Sequence, residues 1–307
     1  MFRHCPSIWC FFPSAAPNLF NVAVDYWLHH ANTRCPRLGV DYHHHITDLC
    51  YADDVVIFAS LINTLTDALA IFGEEATPLG MAVNWTKTKI QSLSDYLPPL
   101  PGEIDINSER VETVNNFTYL GSMISSDCSS DPEIVRRLQL AYRAFGRLSR
   151  VWRSGKIRNA TKFRTLNTCV LPILLYGSES WTLSSAITRR LDAYHRTCLR
   201  HILGIRWYQH ITNEEVYARA GNPTPLSVTI KRSRLRLLGH VARFEDSIPA
   251  KRILAAASHP PLAGWRRPPG RPRLSWASQM SSTRPLPQLL NLAQDRRAFR
   301  QLIATVT

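Results

Sequence analysis

The sequence predicts an α+β chain in which short antiparallel strands backed by helices come first and an all-helical, strongly basic part follows. Three observations carry this. Residues 48–59, DLCYADDVVIFA, set two apolar runs around the adjacent carboxylates Asp53 and Asp54. Val55 to Ala59 is β-branched and aromatic and reads as a buried strand, with Ala52-Asp53-Asp54 as its turn, so the stretch is a tight β-hairpin. After Asp131 the apolar residues change to helical spacing, at Ile134, Leu138, Ala141, Phe145, Leu148 and Trp152. The charge divides at the same place. Residues 1–130 hold 6 Lys/Arg and 14 Asp/Glu, a balance of −8, and residues 131–307 hold 31 and 9, a balance of +22.

A basic excess of that size suggests a polyanion partner, most simply nucleic acid, against the plainer reading of a solvated basic surface. At 307 residues, 45% hydrophobic and 20% charged, the chain is globular and long enough for one large or two ordinary domains. Its seven cysteines include no C-x-x-C pair, which argues against a disulfide framework or a zinc site of ordinary spacing and fits a reducing compartment. No apolar run reaches transmembrane length. Pro13 interrupts the apolar start too early for a secretory signal, so the expectation is an intracellular chain, cytoplasmic or nuclear, not secreted.

Taken in order, residues 1–12 are rich in Trp, Phe and Cys without a clear period and stay unassigned. An apolar helix-like segment runs to His30, and residues 31–47 read as a polar loop, with His43-His44-His45 exposed. After the hairpin, Asn63 or Thr64 can cap a helix with its stripe at Leu65, Leu69, Phe72, Ala76 and Leu79, ended by Pro78 and Gly80. Short strands are expected at Val83, Ile90–Leu93, Ile104–Ile106, Arg110–Val114 and Asn116–Ile124. Asp131-Pro132-Glu133 supplies a cap, a first-turn proline and an early acid for the basic helix. Arg136, Arg137, Arg143, Arg147 and Arg150 fall off its apolar stripe and make an arginine-rich exterior. Further helices are expected at about 160–176, 186–203, 212–220 and 226–243, the first broken or kinked by Pro172. Trp181, Trp207, Tyr208 and Tyr217 read as core in preference to base-stacking platforms. Residues 264–273 form a Pro/Arg-rich arm, and residues 286–305 one last helix.

Neighbouring carboxylates repel and resist desolvation, and a divalent cation is the usual reason to hold them together. Tyr51-Ala52-Asp53-Asp54 in an apolar hairpin resembles the active-site motif of reverse transcriptases. Residues 79–89, LGMAVNWTKTK, resemble the next palm motif of non-LTR (LINE-type) retrotransposon polymerases, and residues 117–124, FTYLGSMI, resemble the hairpin that grips the primer. All three stand in the family's order. The resemblance implies a partial polymerase palm over 13–126, a helical thumb and C-terminal extension over 127–245, and a basic arm with a terminal helix over 246–307.

It further implies two-metal nucleotidyl transfer with Mg2+ as cofactor, with an RNA template, an RNA–DNA or DNA primer duplex and a dNTP as partners, and no membrane. Asp53 would be a direct metal ligand and Asp54 a weaker one. Lys87 would be the catalytic lysine near the leaving phosphate, ahead of Lys89. Tyr51, Phe117, Tyr119 and Gly121 would lie along the primer, Asn84 would fix its turn, and Arg136, Arg143 and Arg147 would face nucleic acid. The family's fingers and first palm aspartate have no counterpart in these residues, and Asp25, Asp41 and Asp48 do not fit that aspartate's context. The expectation is a C-terminal fragment that is inactive alone. Its alternative is a non-catalytic, nucleic-acid-binding retroelement remnant, and a weaker one is a different two-metal enzyme such as a nuclease.

Overall fold

The computed structural model describes residues 16–41, 45–93, 100–258, 275–281 and 284–306. They fall into two compact units that divide between Phe117 and Thr118. Residues 1–12, His43, His44 and the Pro/Arg-rich arm at 264–273 lie outside the described residues.

The first unit is built on two helices. The helix α1 (Ala16–Arg34) runs four residues past His30, and α2 (Ile62–Ala76) continues as a 3-10 turn over Thr77–Leu79. Leu61, in extended conformation, holds the N-cap position of α2 without a side-chain bond, so neither Asn63 nor Thr64 caps it. Of the expected stripe, Leu69, Phe72 and Ala76 are buried and Leu65 and Leu79 half-buried, while Ala68 joins the buried face. Trp27 of α1 meets Phe72 edge-on at 5.1 Å, and its Nε1 donates to the Phe72 carbonyl at 2.8 Å. That bond satisfies the indole N–H inside an apolar contact.

Between the helices in sequence lie β1 (Val40–Asp41), β2 (His45–Ile46), β3 (Asp48–Tyr51) and β4 (Asp54–Ile57). The described residues of the expected loop at 31–47 therefore include the helix end and a small antiparallel pair. Gly39 makes this possible. Its φ is +112°, and a Cβ there would stand 2.8 Å from the Ile46 carbonyl oxygen. Its N–H donates to Phe58 O at 2.8 Å, and His45 Nε2 donates to Leu38 O at 2.6 Å.

The second sheet has the order β5-β7-β6, from β5 (Lys89–Ile90), β6 (Glu103–Ile106) and β7 (Glu109–Thr113). It packs on α2 through Leu69, Ile90, Ile106 and Val111. β5 pairs parallel to β7, so the strands form small separate sheets and are not antiparallel throughout. Val83 and Gln91–Leu93 lie outside strands.

The division between units falls inside β8 (Asn116–Tyr119), which turns into β9 (Ser122–Ser125) through Leu120 and Gly121, at φ +48° and +78°. Residues 116–124, expected as strand and resembling a hairpin, thus form a hairpin. The second unit is otherwise helical: α3 (Asp131–Arg147), α4 (Ser149–Arg153), α5 (Asn159–Thr165), α6 (Leu171–Leu175), α7 (Ser185–Leu203), α8 (Asn213–Arg219) and α9 (Leu226–Ala242). Two corrections have local causes. The long helix breaks at Leu148, where Trp152 folds back to stack on Phe145 at 4.8 Å and donates to its carbonyl. Before Pro172 the chain makes a π turn, Leu166–Val170, with Leu171 N–H bonding Leu166 O; a proline without an N–H favours such a readjustment.

The second unit holds two apolar clusters. One joins α3, α7 and the start of α9 around Ile134, Leu138, Leu191, Leu199 and Ile230. The other joins the end of α9 to α10 (Pro249–Ala256), α11 (Trp276–Met280), α12 (Leu286–Leu292) and α13 (Arg296–Thr305). Residues 286–305 are therefore two helices. Gly239 lets α13 come close to α9, since a Cβ there would lie 2.5 Å from the Phe299 ring. No helix among the described residues is long and apolar enough to cross a membrane.

Candidate active site

The hairpin register is Tyr51 opposite Asp54, Cys50 opposite Val55, Leu49 opposite Val56 and Asp48 opposite Ile57. The turn is therefore Ala52-Asp53, and Asp54 is the first residue of β4, one step beyond the sequence reading. Ala52 adopts φ +54°, uncommon for a residue with a Cβ. Successive strand side chains alternate faces. Val55 and Ile57 pack against the α1–α2 cluster, so Asp48 and Cys50 share that helix-facing side. Leu49, Tyr51, Asp54 and Val56 share the other side, where Leu49 and Tyr51 are exposed. The strand Val55–Ala59 is half-buried, not buried, because this second face is uncovered.

Asp53 and Asp54 are half-buried at the tip of this hairpin. Asp48 is at its other end, roughly 10 Å away at about 3.3 Å per residue, and is bonded there by Asn32 Nδ2 at 2.8 Å and Thr47 Oγ1 at 2.6 Å. Asp25 is exposed on α1. Burial, then the Asp48 and Asp25 carboxylates, push the Cys50 thiol above its ordinary value. Carboxylate oxygens suit a hard divalent cation in kind, but among the described residues no group of three His, Cys, Asp or Glu could hold a metal ion.

Asn84 organises the second motif. Its side chain accepts from Thr86 Oγ1 at 2.6 Å and Lys87 N at 3.3 Å, and its carbonyl accepts from the N–H groups of Lys87 and Thr88. The side chain thus caps the turn through the N–H three residues on, as an N-cap asparagine does. Trp85 packs it on α2, 3.3 Å from where a Cβ at Gly73 would stand. Lys87 is exposed on the turn, whereas Lys89 is ion-paired with Glu112 across the sheet at 2.7 Å.

On the third motif, Phe117 and Tyr119 are half-buried on one face of β8, and Gly121 is at the tip. α3 holds this tip. The Glu133 carboxylate accepts from Met123 N at 3.0 Å, Arg137 Nε at 2.6 Å, and Arg136 Nε and Nη2 at 2.7 and 2.9 Å. Burial works to raise the Glu133 carboxyl, but these bonds outweigh it and leave it below the usual range. Both arginines donate to Gly121 O, and Tyr176 Oη donates to Leu120 O at 2.8 Å.

Arg137 is therefore buried, not part of an arginine exterior, and the Arg136 donors are directed to Glu133 and Gly121. Arg143, Arg147 and Arg150 are exposed. The Glu133–Arg137 spacing of four was the available signal for this anchor, but among so many arginines it does not stand out. Trp181 is buried and Tyr217 half-buried as expected for core, but Trp207 is 87% exposed and Tyr208 59%, against the expectation for both.

Residues 14–124 match the family model described as reverse transcriptase (RNA-dependent DNA polymerase). Over 245 residues the chain is 27% identical to a transposon-derived protein of Caenorhabditis elegans, covering 76% of this chain and 84% of that protein. Over 222 residues it is 24% identical to the retrovirus-related Pol polyprotein from the type-1 retrotransposable element R2 of Popillia japonica, covering 66% of this chain. The chain spans a third, 33%, of that polyprotein. The matched segment contains the hairpin, the Asn84 turn and all of the third motif, so the similarity to reverse transcriptases covers the three motifs together.

Proposed function

We propose that Asp53 and Asp54 are the metal-binding carboxylates of an RNA-directed DNA polymerase, and that the basic helical unit holds the template–primer duplex. The observation that carries this is the two-sided hairpin: one face packs on α1 and α2, and the other, with Tyr51 and Asp54, is open at the tip that bears Asp53. Mg2+, when bound, supplies positive charge for activating a primer 3′-hydroxyl and for stabilising the leaving pyrophosphate. Asp53 would be its direct ligand and Asp54 a weaker one. Tyr51 would lie beside the primer end, and Lys87 would place a proton donor or point charge near the leaving phosphate. Phe117, Tyr119 and Gly121 would line the primer, with Glu133, Arg136, Arg137 and Tyr176 positioning the tip. Arg143 and Arg147 would meet backbone phosphates.

Two carboxylates are a weak site for this chemistry. With no third candidate ligand beside them among the described residues, we expect these 307 residues alone to extend no primer. The same observation favours the second reading, a nucleic-acid-binding chain without chemistry. Primer extension on an RNA template with Mg2+, comparing the chain with Asp53→Ala, separates the two. Extension that disappears in the variant means that another residue of this chain completes the site. No extension from either, with salt-sensitive duplex binding retained in both, supports binding alone. Duplex binding that does not weaken as salt rises would sink the role given to the basic helices.

A further inference from the structure

Between α7 and α8 the chain makes a 3-10 turn, Trp207–Gln209, that carries two exposed rings. Trp207 is 87% exposed and Tyr208 59%, their centroids 5.9 Å apart and their planes at 80°. An outward tryptophan forgoes about 2 kcal/mol or more of burial, so a fold that presents one on a rigid support invites a ligand.

The support is rigid. α7 ends on Gly204 in the left-handed conformation, with Gly204 N–H on His201 O and Ile205 N–H on Arg200 O. These are the paired bonds of a Schellman stop. Ile205 and Ile211, on either side of the rings, pack into the main cluster. Arg200 Nη2 holds the far end through Ile211 O at 2.7 Å and Asn213 Oδ1 at 3.2 Å. Within the turn, Gln209 N–H bonds Arg206 O, and Arg206 N–H bonds Gln209 Oε1 at 2.9 Å.

We infer that Trp207 and Tyr208 form a stacking site for an unpaired nucleobase of a single-stranded nucleic acid. With planes at 80°, a base stacked on one ring meets the other edge-on, and the pair, rimmed by the exposed polar residues Arg206, Gln209 and His210, matches a base in size and falls far short of a protein interface of about 1,000 Å². The rings sit in the half of the chain with a balance of +22, which suits a polyanionic strand. Glu214 and Glu215 follow on α8, and Glu215 is paired with Arg219. Duplex bases stack on one another and leave no face free, so the site selects single strands. This goes beyond the duplex-binding role proposed for the basic helices and shares with it only the polyanion.

The test is fluorescence anisotropy of the full chain with labelled uridine and thymidine homopolymers and with a duplex of equal length. The variants are Trp207→Ala, Tyr208→Ala and Trp207→Phe. Single-strand affinity is expected to fall roughly ten- to a hundredfold in each alanine variant. Duplex affinity should be unchanged, and Trp207→Phe should restore most of the loss. A stronger effect on the uridine strand assigns the site to RNA, and an equal effect on both strands assigns it to either nucleic acid. Equal losses for strand and duplex, no loss in either alanine variant, or a loss of self-association with strand binding intact would overturn the inference. Strand binding that depends on Trp207 in a chain that ignores duplex would sink the duplex role and leave this one standing.

Discussion

The Arg137 guanidinium lies over the ring of Tyr176, 4.4 Å from its centroid, and the two side chains bond adjacent carbonyls at the tip of the β8–β9 hairpin. Arg137 takes Gly121 and Tyr176 takes Leu120. Both residues at this tip have positive φ, which Gly121 adopts freely but Leu120, with its Cβ, does not favour.

Arg137→Ala leaves Glu133 with only Arg136 and the Met123 N–H, and removes one donor from the tip. A loss of about 2 kcal/mol is expected, because a charge-assisted hydrogen bond is lost while Arg136 still compensates the Glu133 charge. Tyr176→Phe keeps the ring under the guanidinium and loses one hydrogen bond, about 1 kcal/mol. Urea unfolding of both variants checks the ranking. Equal costs would mean that the Tyr176 hydroxyl matters more than the geometry implies.

Glu133→Gln tests the other side of the anchor. The Glu133 carboxyl titrates below its ordinary value of 4.5, so in the unfolded chain it takes up its proton at higher pH than in the folded one. Its contribution is present above about pH 4.5 and is lost as pH falls through the folded value. The wild type should therefore lose stability faster than Glu133→Gln on acidification below about pH 4.5. Parallel pH curves would show that the carboxylate contributes no net stability.

His195 gives a second pH dependence in a different window. It is buried, and burial lowers its pKa from 6.5 to about 4; the Asp192 carboxylate opposes that shift and Arg196 adds to it. The unfolded chain then binds the extra proton between about pH 6.5 and 4, so folding weakens as pH falls across that range. The full loss is roughly 3 kcal/mol. His195→Leu should flatten the curve between pH 6.5 and 4. Thermal unfolding of the two proteins at several pH values reads this directly, and an unchanged slope would mean that the imidazole is already protonated in the folded state.

Arg143 and Arg147 are exposed on α3, whereas Arg136 and Arg137 are engaged at the hairpin. If the exposed pair meets phosphate, each alanine substitution should reduce the slope of log affinity against log salt by about 1. Arg150→Ala serves as a comparison on the next helix. Duplex titrations at several salt concentrations measure this, and slopes unchanged in Arg143→Ala and Arg147→Ala would remove both residues from the interface.

The local pattern along the chain determined much of this protein. An apolar run broken by two aspartates makes a hairpin, and the Phe72 stripe makes the buried face of α2. The Asn84 turn was legible because its bonds, from Asn84 to Thr86, Lys87 and Thr88, all close within four positions. Helical spacing located most of the basic helices for the same reason. Side-chain destinations over long separations were decided by the tertiary structure. Arg136 and Arg137 have the same character in sequence as Arg143, and only the approach of Gly121 turns them inward. Trp207 and Tyr208 read as core until the ends of their turn are pinned at Ile205 and Ile211, which leaves the rings outside. The second cluster, from Leu235 to Val306, was not visible because beyond α9 most of its members lie on short helices that bury a face only when packed together. Sequence spacing reports which face of an element is apolar, and the partner that covers that face is set by packing among distant segments.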